Sequence, residues 1–196
     1  EQVTLVELDP AMIELATTMP EIRELNRDAF ADPRVQTVNG DAFSWLRTQE
    51  STYDVIIVDM PDPDQTETAK LYSVEFYSLV RAHLAEGGRI AVQSGSPYFA
   101  PKSFWCINAT LQAAGLAVTP YHVDVPSFGD WGFHLASTTT PPTLSLQAPD
   151  PLRFLTDAQL QAATVFPADR QPLDMPASTL MDPVILEYAQ QEWANY

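Results

Sequence analysis

At 196 residues, with a hydrophobic fraction of 45% and a formal net charge of −16, the chain has the size of one ordinary domain with a short extension. That apolar content excludes a disordered chain. Ten Lys and Arg in all exclude the clustered cationic surface that nucleic acid requires. The single cysteine, Cys106, excludes an internal disulfide and a thiolate metal cluster.

An acidic surface raises the local concentration of cationic small molecules such as polyamines, although solubility alone also accounts for it. No apolar run approaches the roughly 18 residues of a membrane span. The chain opens directly on a strand pattern, Val3-Thr4-Leu5-Val6, which predicts a piece of a longer protein.

That pattern predicts a buried strand over 3–7 ending in Glu7. Asp9 then caps a helix with Pro10 in its first turn and Met12, Ile13, Leu15 and Ala16 on its apolar face. Asp32-Pro33 turns into a strand over 35–38, followed by Asn39-Gly40-Asp41 and a helix over 42–47 with Phe43 and Leu46 inward. Tyr53 to Val58 is almost continuously apolar, as expected of a parallel strand covered on both faces, and it stops at Asp59.

A polar loop runs to about residue 70, then Glu75 to Leu84 has helical periodicity. Glu86-Gly87-Gly88 predicts a turn, 89–93 a fourth strand, and 103–115 a helix closed by Gly115. Residues 116–123 and 133–136 form a final strand pair. Strand and helix alternate, so the expected fold is α/β: a Rossmann-like open and mostly parallel sheet with flanking helices. Seventeen prolines, many of them between 97 and 183, predict a second half rich in loops. The expected division is a nucleoside-binding domain over 1–137 and, over 138–196, a Thr/Pro-rich linker with a helical C-terminal extension. In that extension Thr156 with Gln159 suggests a capping box, and Asp182-Pro183 starts a last helix.

Open parallel sheets bind ligands beyond the carboxyl ends of their strands. Three predicted strands end there in a carboxylate: Glu7, Asp41 just beyond the second, and Asp59. Such groups accept hydrogen bonds from ribose hydroxyls and an adenine amino group, which favours a nucleoside without phosphates, although helix capping is an alternative for each. In Asp59-Met60-Pro61-Asp62-Pro63 two carboxylates stand in a proline-restrained loop. They suit an ammonium, or one of them a proton taken from an attacking amine; a plain surface turn remains the alternative. His122 and His134 lack an acid or cysteine at metal spacing and are expected to be structural.

Val6-Glu7-Leu8-Asp9, Asn39-Gly40-Asp41-Ala42-Phe43, Tyr53 to Asp59, Asp62-Pro63, Leu71-Tyr72-Ser73, Glu75-Phe76-Tyr77 and Gln93-Ser94-Gly95-Ser96-Pro97 resemble, in order and spacing, the spermidine synthase (polyamine aminopropyltransferase) family. Pro120-Tyr121, Val125-Pro126 and Trp131-Gly132-Phe133 continue the resemblance to about residue 137. The Asp59–Pro63 stretch, Pro126–Gly129 and Phe166–Asp169 look most like bacterial members fused to an N-terminal membrane-spanning region.

The resemblance implies transfer of the aminopropyl group of decarboxylated S-adenosylmethionine to a diamine such as putrescine, giving spermidine and methylthioadenosine. It implies Glu7 on the ribose, Asp41 with Ala42 on the adenine, Asp59 as the catalytic acid on the attacking amine, and Asp62 and Gln93 on the amine substrate. The co-substrate is decarboxylated S-adenosylmethionine, with no permanently bound cofactor and no metal. A homodimer and a cytoplasmic location, tethered to the inner membrane where the membrane-spanning region is present, are implied as well.

The family's glycine-rich turn follows a central strand, and this chain begins after it, so an N-terminally truncated sheet is expected. The loop over 64–70 lacks the family's Gly-Pro, and Ser127-Phe128-Gly129 shortens a late motif that carries a tyrosine. Two other readings stay open: a non-catalytic domain binding adenosyl compounds or polyamines, and an S-adenosylmethionine-dependent methyltransferase. Asp59 and Asp62 would repel the methionine carboxylate in the second.

Overall fold

The structure, a computed structural model, describes residues 1–146 and 152–194. Its contacts divide the chain into two units, residues 1–50 and 51–196.

In the first unit, β1 (Val3–Glu7) leads through α1 (Pro10–Thr18), α2 (Pro20–Asn26) and a short 3-10 turn to β2 (Val35–Asn39) and α3 (Ala42–Leu46). The two strands pair in parallel, with Glu7 opposite Asn39. Asp9 caps α1 through a bond from the Ala11 amide at 2.9 Å, as its position before Pro10 predicts. The sequence reading missed α2, whose first residue is Pro20. At its end Arg27 and Asp28 both take left-handed backbone conformations, each with φ of 53°, and Asp28 pairs with Arg23 at 2.7 Å.

The second unit begins with β3 (Tyr53–Val58) and continues through α4 (Thr66–Ala69), α5 (Val74–Ala82), β4 (Leu84–Gln93), α6 (Pro101–Ala113), β5 (Ala117–Val125), β6 (Gly129–Ser137), α7 (Asp157–Ala162) and α8 (Val184–Trp193). Its four strands lie in the order β3-β4-β6-β5. The core is built by α5 and α6 with β4: Phe76, Val80, Ile90, Val92, Phe104, Ile107 and Leu111 are all buried.

This arrangement corrects the expected single, mostly parallel sheet. The described residues form two sheets, one of two parallel strands and one of four mixed strands. In the larger sheet only β3 and β4 are parallel, while β4–β6 and β5–β6 are antiparallel. The physical reason is the link between β5 and β6, residues 126–128, which is far too short for a parallel crossover and returns the chain antiparallel. β6 then lays its other edge on β4. The α/β character stands.

Three local expectations also change. The turn at Glu86-Gly87-Gly88 is a bulge inside a longer β4: the register with β3 shifts between Tyr53 and Val55, and Gly87 takes φ of +76°, which glycine adopts without steric cost. The stretch after Pro63 is partly helical, with Gln65 and Thr68 forming a reciprocal cap on α4. β3 is open on one face, where Val55 is 62% and Ile57 72% exposed. It is also the outer strand of its sheet.

The Thr/Pro-rich linker expected after residue 137 is described as far as residue 146, and residues 147–151 lie outside the described residues. Beyond it, Thr156 caps α7 through the Gln159 amide. Ile185 and Ala189 of α8 are fully buried.

Candidate functional site

In the first unit the acidic groups gather where β1 and β2 end side by side. Asn39 holds the two ends together, its side-chain amide donating to the Glu7 and Leu8 carbonyls at 3.0 Å each. The Gly40 amide donates to the Glu7 carbonyl at 2.9 Å. Glu7 is half-buried, and its Oε1 accepts from the Asp9 amide at 2.8 Å, which aims the carboxylate across the strand end. Asp41 caps α3, accepting from the Ser44 amide at 2.8 Å, and Ala42 is the first residue of that helix. Glu7 and Asp41 thus flank one strand end, each held by a backbone amide. A carboxylate fixed in this way presents lone pairs to a hydroxyl or an amino group without further ordering.

In the second unit Val58 pairs with Val92, so Asp59 and Gln93 emerge as neighbours from the carboxyl ends of two parallel strands. Asp59 is exposed and Asp62 half-buried. The Gln93 side-chain amide donates toward Asp62 Oδ1 and the Met60 carbonyl, 3.4 Å from each, and its oxygen accepts from the Gly95 amide at 2.6 Å. Burial raises the Asp62 carboxyl above its ordinary range, the Gln93 bond opposes this, and the Asp64 charge adds to it. Gly95 has φ of +68°, and a Cβ there would stand 3.9 Å from Asp62 Oδ1. The positive φ is what favours glycine here, since a Cβ at that distance would make only ordinary contact with the carboxylate.

Tyr72 fixes the backbone of this loop. Its ring is buried, and its hydroxyl bridges the carbonyls of Met60 and Pro61 at 3.1 and 3.0 Å. Burial first, then the charges of Asp62 and Asp59, push its ionisation far above the ordinary range, so it remains a donor at any working pH. Sequence reasoning quoted Tyr72 without giving it a role. The signal available was a tyrosine eight positions after a run of two prolines and three acids, whose carbonyls need a donor.

His134 is fully buried and stacks on Phe104 with 4.5 Å between ring centroids. Its Nδ1 meets the Ser94 hydroxyl at 2.7 Å. His122 pairs with Asp130 at 2.5 Å. Among the described residues no group of three His, Cys, Asp or Glu side chains is placed to hold a metal, and no described helix is long and apolar enough to cross a membrane.

Carboxylates standing beyond the carboxyl ends of parallel strands, in α/β surroundings, define a Rossmann-like domain. The spermine/spermidine synthase domain matches residues 1–148, and the chain belongs to that family. It is 55% identical over 196 residues to polyamine aminopropyltransferase 1 of Streptomyces coelicolor, covering 99% of this chain and 37% of that protein. It is 48% identical over 198 residues to polyamine aminopropyltransferase of Mycobacterium tuberculosis, covering 98% and 38%. The chain therefore spans less than two-fifths of these relatives' length. Among solved structures, spermidine synthase from Thermotoga maritima superposes with a TM-score of 0.71 at 22% identity, over 85% of this chain and 58% of that one. That likeness speaks for the fold alone.

Proposed function

We propose that the chain is the catalytic part of an aminopropyltransferase that moves the aminopropyl group of decarboxylated S-adenosylmethionine to a diamine such as putrescine. The observation that carries this is the amine-side set, Asp59 beside Gln93 with Asp62 tied to the same glutamine. Family membership and the activity for which the relatives are named support it.

On this reading Glu7 accepts from the ribose hydroxyls, and Asp41 with Ala42 receives the adenine. An alkyl amine with a pKa of roughly 10 arrives protonated. Asp62 holds its distal ammonium, with Gln93 as a polar contact, and Asp59 takes a proton from the reacting nitrogen and passes it to water. The freed lone pair bonds to the propyl carbon attached to the sulfonium sulfur. The carbon–sulfur bond breaks, its electron pair goes to sulfur, and neutral methylthioadenosine leaves. The electrophile is already activated, so the residues contribute alignment and negative charge.

The same reading makes the chain part of a longer protein, with an upstream glycine-rich segment, an N-terminal membrane-spanning region, a cytoplasmic catalytic part and a homodimeric assembly. The greater length of the relatives supports the longer protein, and the outer edge of β3 with the exposed Val55 and Ile57 supports the upstream segment: such an edge invites a further strand. The intact mass of the natural protein and its partition into membranes test this.

The activity is tested by incubating this chain and the complete gene product with decarboxylated S-adenosylmethionine and putrescine, cadaverine, spermidine or agmatine, followed by mass spectrometry. Methylthioadenosine with an aminopropylated amine is the expected result for the complete protein. A folded complete protein that binds methylthioadenosine but forms neither product overturns the catalytic reading.

A further inference from the structure

The family domain ends at residue 148, yet the segment beyond it makes specific contacts with both loops of the amine side. The side-chain amide of Gln190, on α8, donates to the Asp64 carbonyl at 2.9 Å. That carbonyl lies two residues after Asp62, at the start of the α4 cap. The helix that carries Gln190 is itself anchored. Ile185 and Ala189 are fully buried, and one turn end is pinned by Glu192, whose carboxylate accepts from the Lys102 and Ser103 amides and the Ser103 hydroxyl at 2.8, 3.0 and 2.8 Å. A carboxylate at the first turn of α6 also meets the favourable end of that helix's dipole.

The second contact is Arg170. Its guanidinium donates to Asp130 Oδ2 at 2.7 Å and covers the Tyr98 ring at 4.7 Å. The other oxygen of Asp130 meets His122 Nδ1 at 2.5 Å, and His122 Nε2 meets the Val165 carbonyl at 3.1 Å. The backbone carbonyl of Asp130 accepts from the Ser96 hydroxyl at 2.6 Å. Ser96 is fully buried and stands three positions after Gln93. Arg170 thus ties the C-terminal segment to the loop that leaves β4, as Gln190 ties it to the loop that leaves β3.

Resting on the aminopropyltransferase reading above, we propose that Gln190 and Arg170 are positioning residues: the C-terminal segment braces the loop that carries Asp62 and the loop that follows Gln93 and so sets the spacing of the amine subsite. Neither residue touches the amine. Gln190 holds the backbone of the loop that carries Asp62, and Arg170 holds Asp130, whose carbonyl takes the Ser96 hydroxyl three positions after Gln93. Such a brace acts on amine recognition and leaves nucleoside recognition alone.

The test uses the complete gene product. Gln190→Ala raises the KM for putrescine about three- to tenfold, the size of one neutral hydrogen bond, with the KM for decarboxylated S-adenosylmethionine unchanged. Arg170→Ala does the same, and Arg170→Lys, which keeps the charge on Asp130 and loses the planar fork, recovers part of the loss. In parallel, hydrogen exchange of wild type and Gln190→Ala is compared. The expected result is faster exchange confined to residues 59–65. A uniform rise across β4 and α6 marks general loosening and overturns the brace, as does a putrescine KM that stays put or moves together with the nucleoside KM. If the wild-type protein forms no aminopropylated product, the functional reading fails, and the exchange comparison still decides whether α8 restrains the loop.

Discussion

The Tyr72 hydroxyl lies 3.1 Å from the Met60 carbonyl, within a loop whose side chains number three acids between residues 59 and 64. Carbonyls in such a loop would otherwise turn to water, and the loop with them. Tyr72→Phe keeps the ring and removes the donor, leaving the Met60 and Pro61 carbonyls short of a partner at a cost of about 1–3 kcal/mol. Urea denaturation should show that loss, accompanied by a higher KM for the amine. An unchanged denaturation midpoint would show that water replaces the hydroxyl without penalty.

Asp59 stands exposed at the end of β3, where nothing but its charge distinguishes it. Asp59→Asn keeps shape and removes both the charge and the proton acceptor. Turnover should fall by about a hundredfold or more, the usual scale of general acid–base assistance, while methylthioadenosine binds as before by calorimetry. Equal losses in turnover and nucleoside binding would remove Asp59 from its assigned role.

Burial raises the Asp62 carboxyl above 3.8, and the sign of the consequence follows. The protonated form persists to higher pH in the folded chain, so its contribution to stability is fully present below the ordinary value and is lost as pH rises through the raised one. Ammonium binding needs the opposite, ionised form. The kcat/KM for the amine should therefore decline at acid pH with a midpoint above the ordinary aspartate value. A pH profile of Asp62→Asn should lack that limb, and retention of the same limb would assign it to another group.

His134 behaves in the reverse sense. Burial lowers its pKa from 6.5 to about 3, so it stays neutral in the folded chain while the unfolded chain takes up a proton. Stability is complete above pH 6.5 and falls progressively between there and pH 3, by about 1 kcal/mol per pH unit. Urea midpoints at pH 7 and pH 5 should separate for the wild type and converge for His134→Gln.

A Cβ on Gly132 would stand 2.3 Å from Phe104 Cε2 and 3.0 Å from the Gly95 carbonyl. The same glycine exchanges backbone bonds with the loop after β4, its amide donating to Gly95 at 2.7 Å and its carbonyl accepting from Ser94 at 3.0 Å. Gly132→Ala should cost about 1–3 kcal/mol as an overpacked site, read as a lower Tm. Adding Phe104→Leu should return part of it, since neighbouring substitutions do not add independently.

Much of this was legible in the residues, for reasons that differ by element. β1 and β3 matched their predicted ranges because apolar runs bounded by acids have few other solutions, and Asp9-Pro10 marked a helix start whose cap the structure contains. The direction of β6 was not legible from periodicity, because alternation sets which face a residue takes and says nothing of the neighbour it pairs with. The signal lay in the three-residue spacing between Val125 and Gly129. Glu7, Asp41, Asp59 and Gln93 could be placed at or just beyond strand ends because strand ends are local, and the Asp59 substitution above tests the role proposed for it. Tyr72, Arg170 and Gln190 could not be placed so: the bonds from Arg170 and Gln190 span 40 and 126 positions, and no local pattern records such a meeting.

The short link between β5 and β6 also bears on the order in which the sheet assembles. Their pairing closes a small loop, whereas β3 with β4 and β4 with β6 must each close a larger one, and closure entropy grows with loop length. Hairpins form in about 1–10 μs, so the ribbon holding Asp130 and Gly132 is expected to exist before β4 arrives beside it. Gln93 and Ser96 would then be laid onto a template already made. Mutational analysis of folding rates should find the hairpin's contacts formed in the transition state and those of Gln93 formed after it.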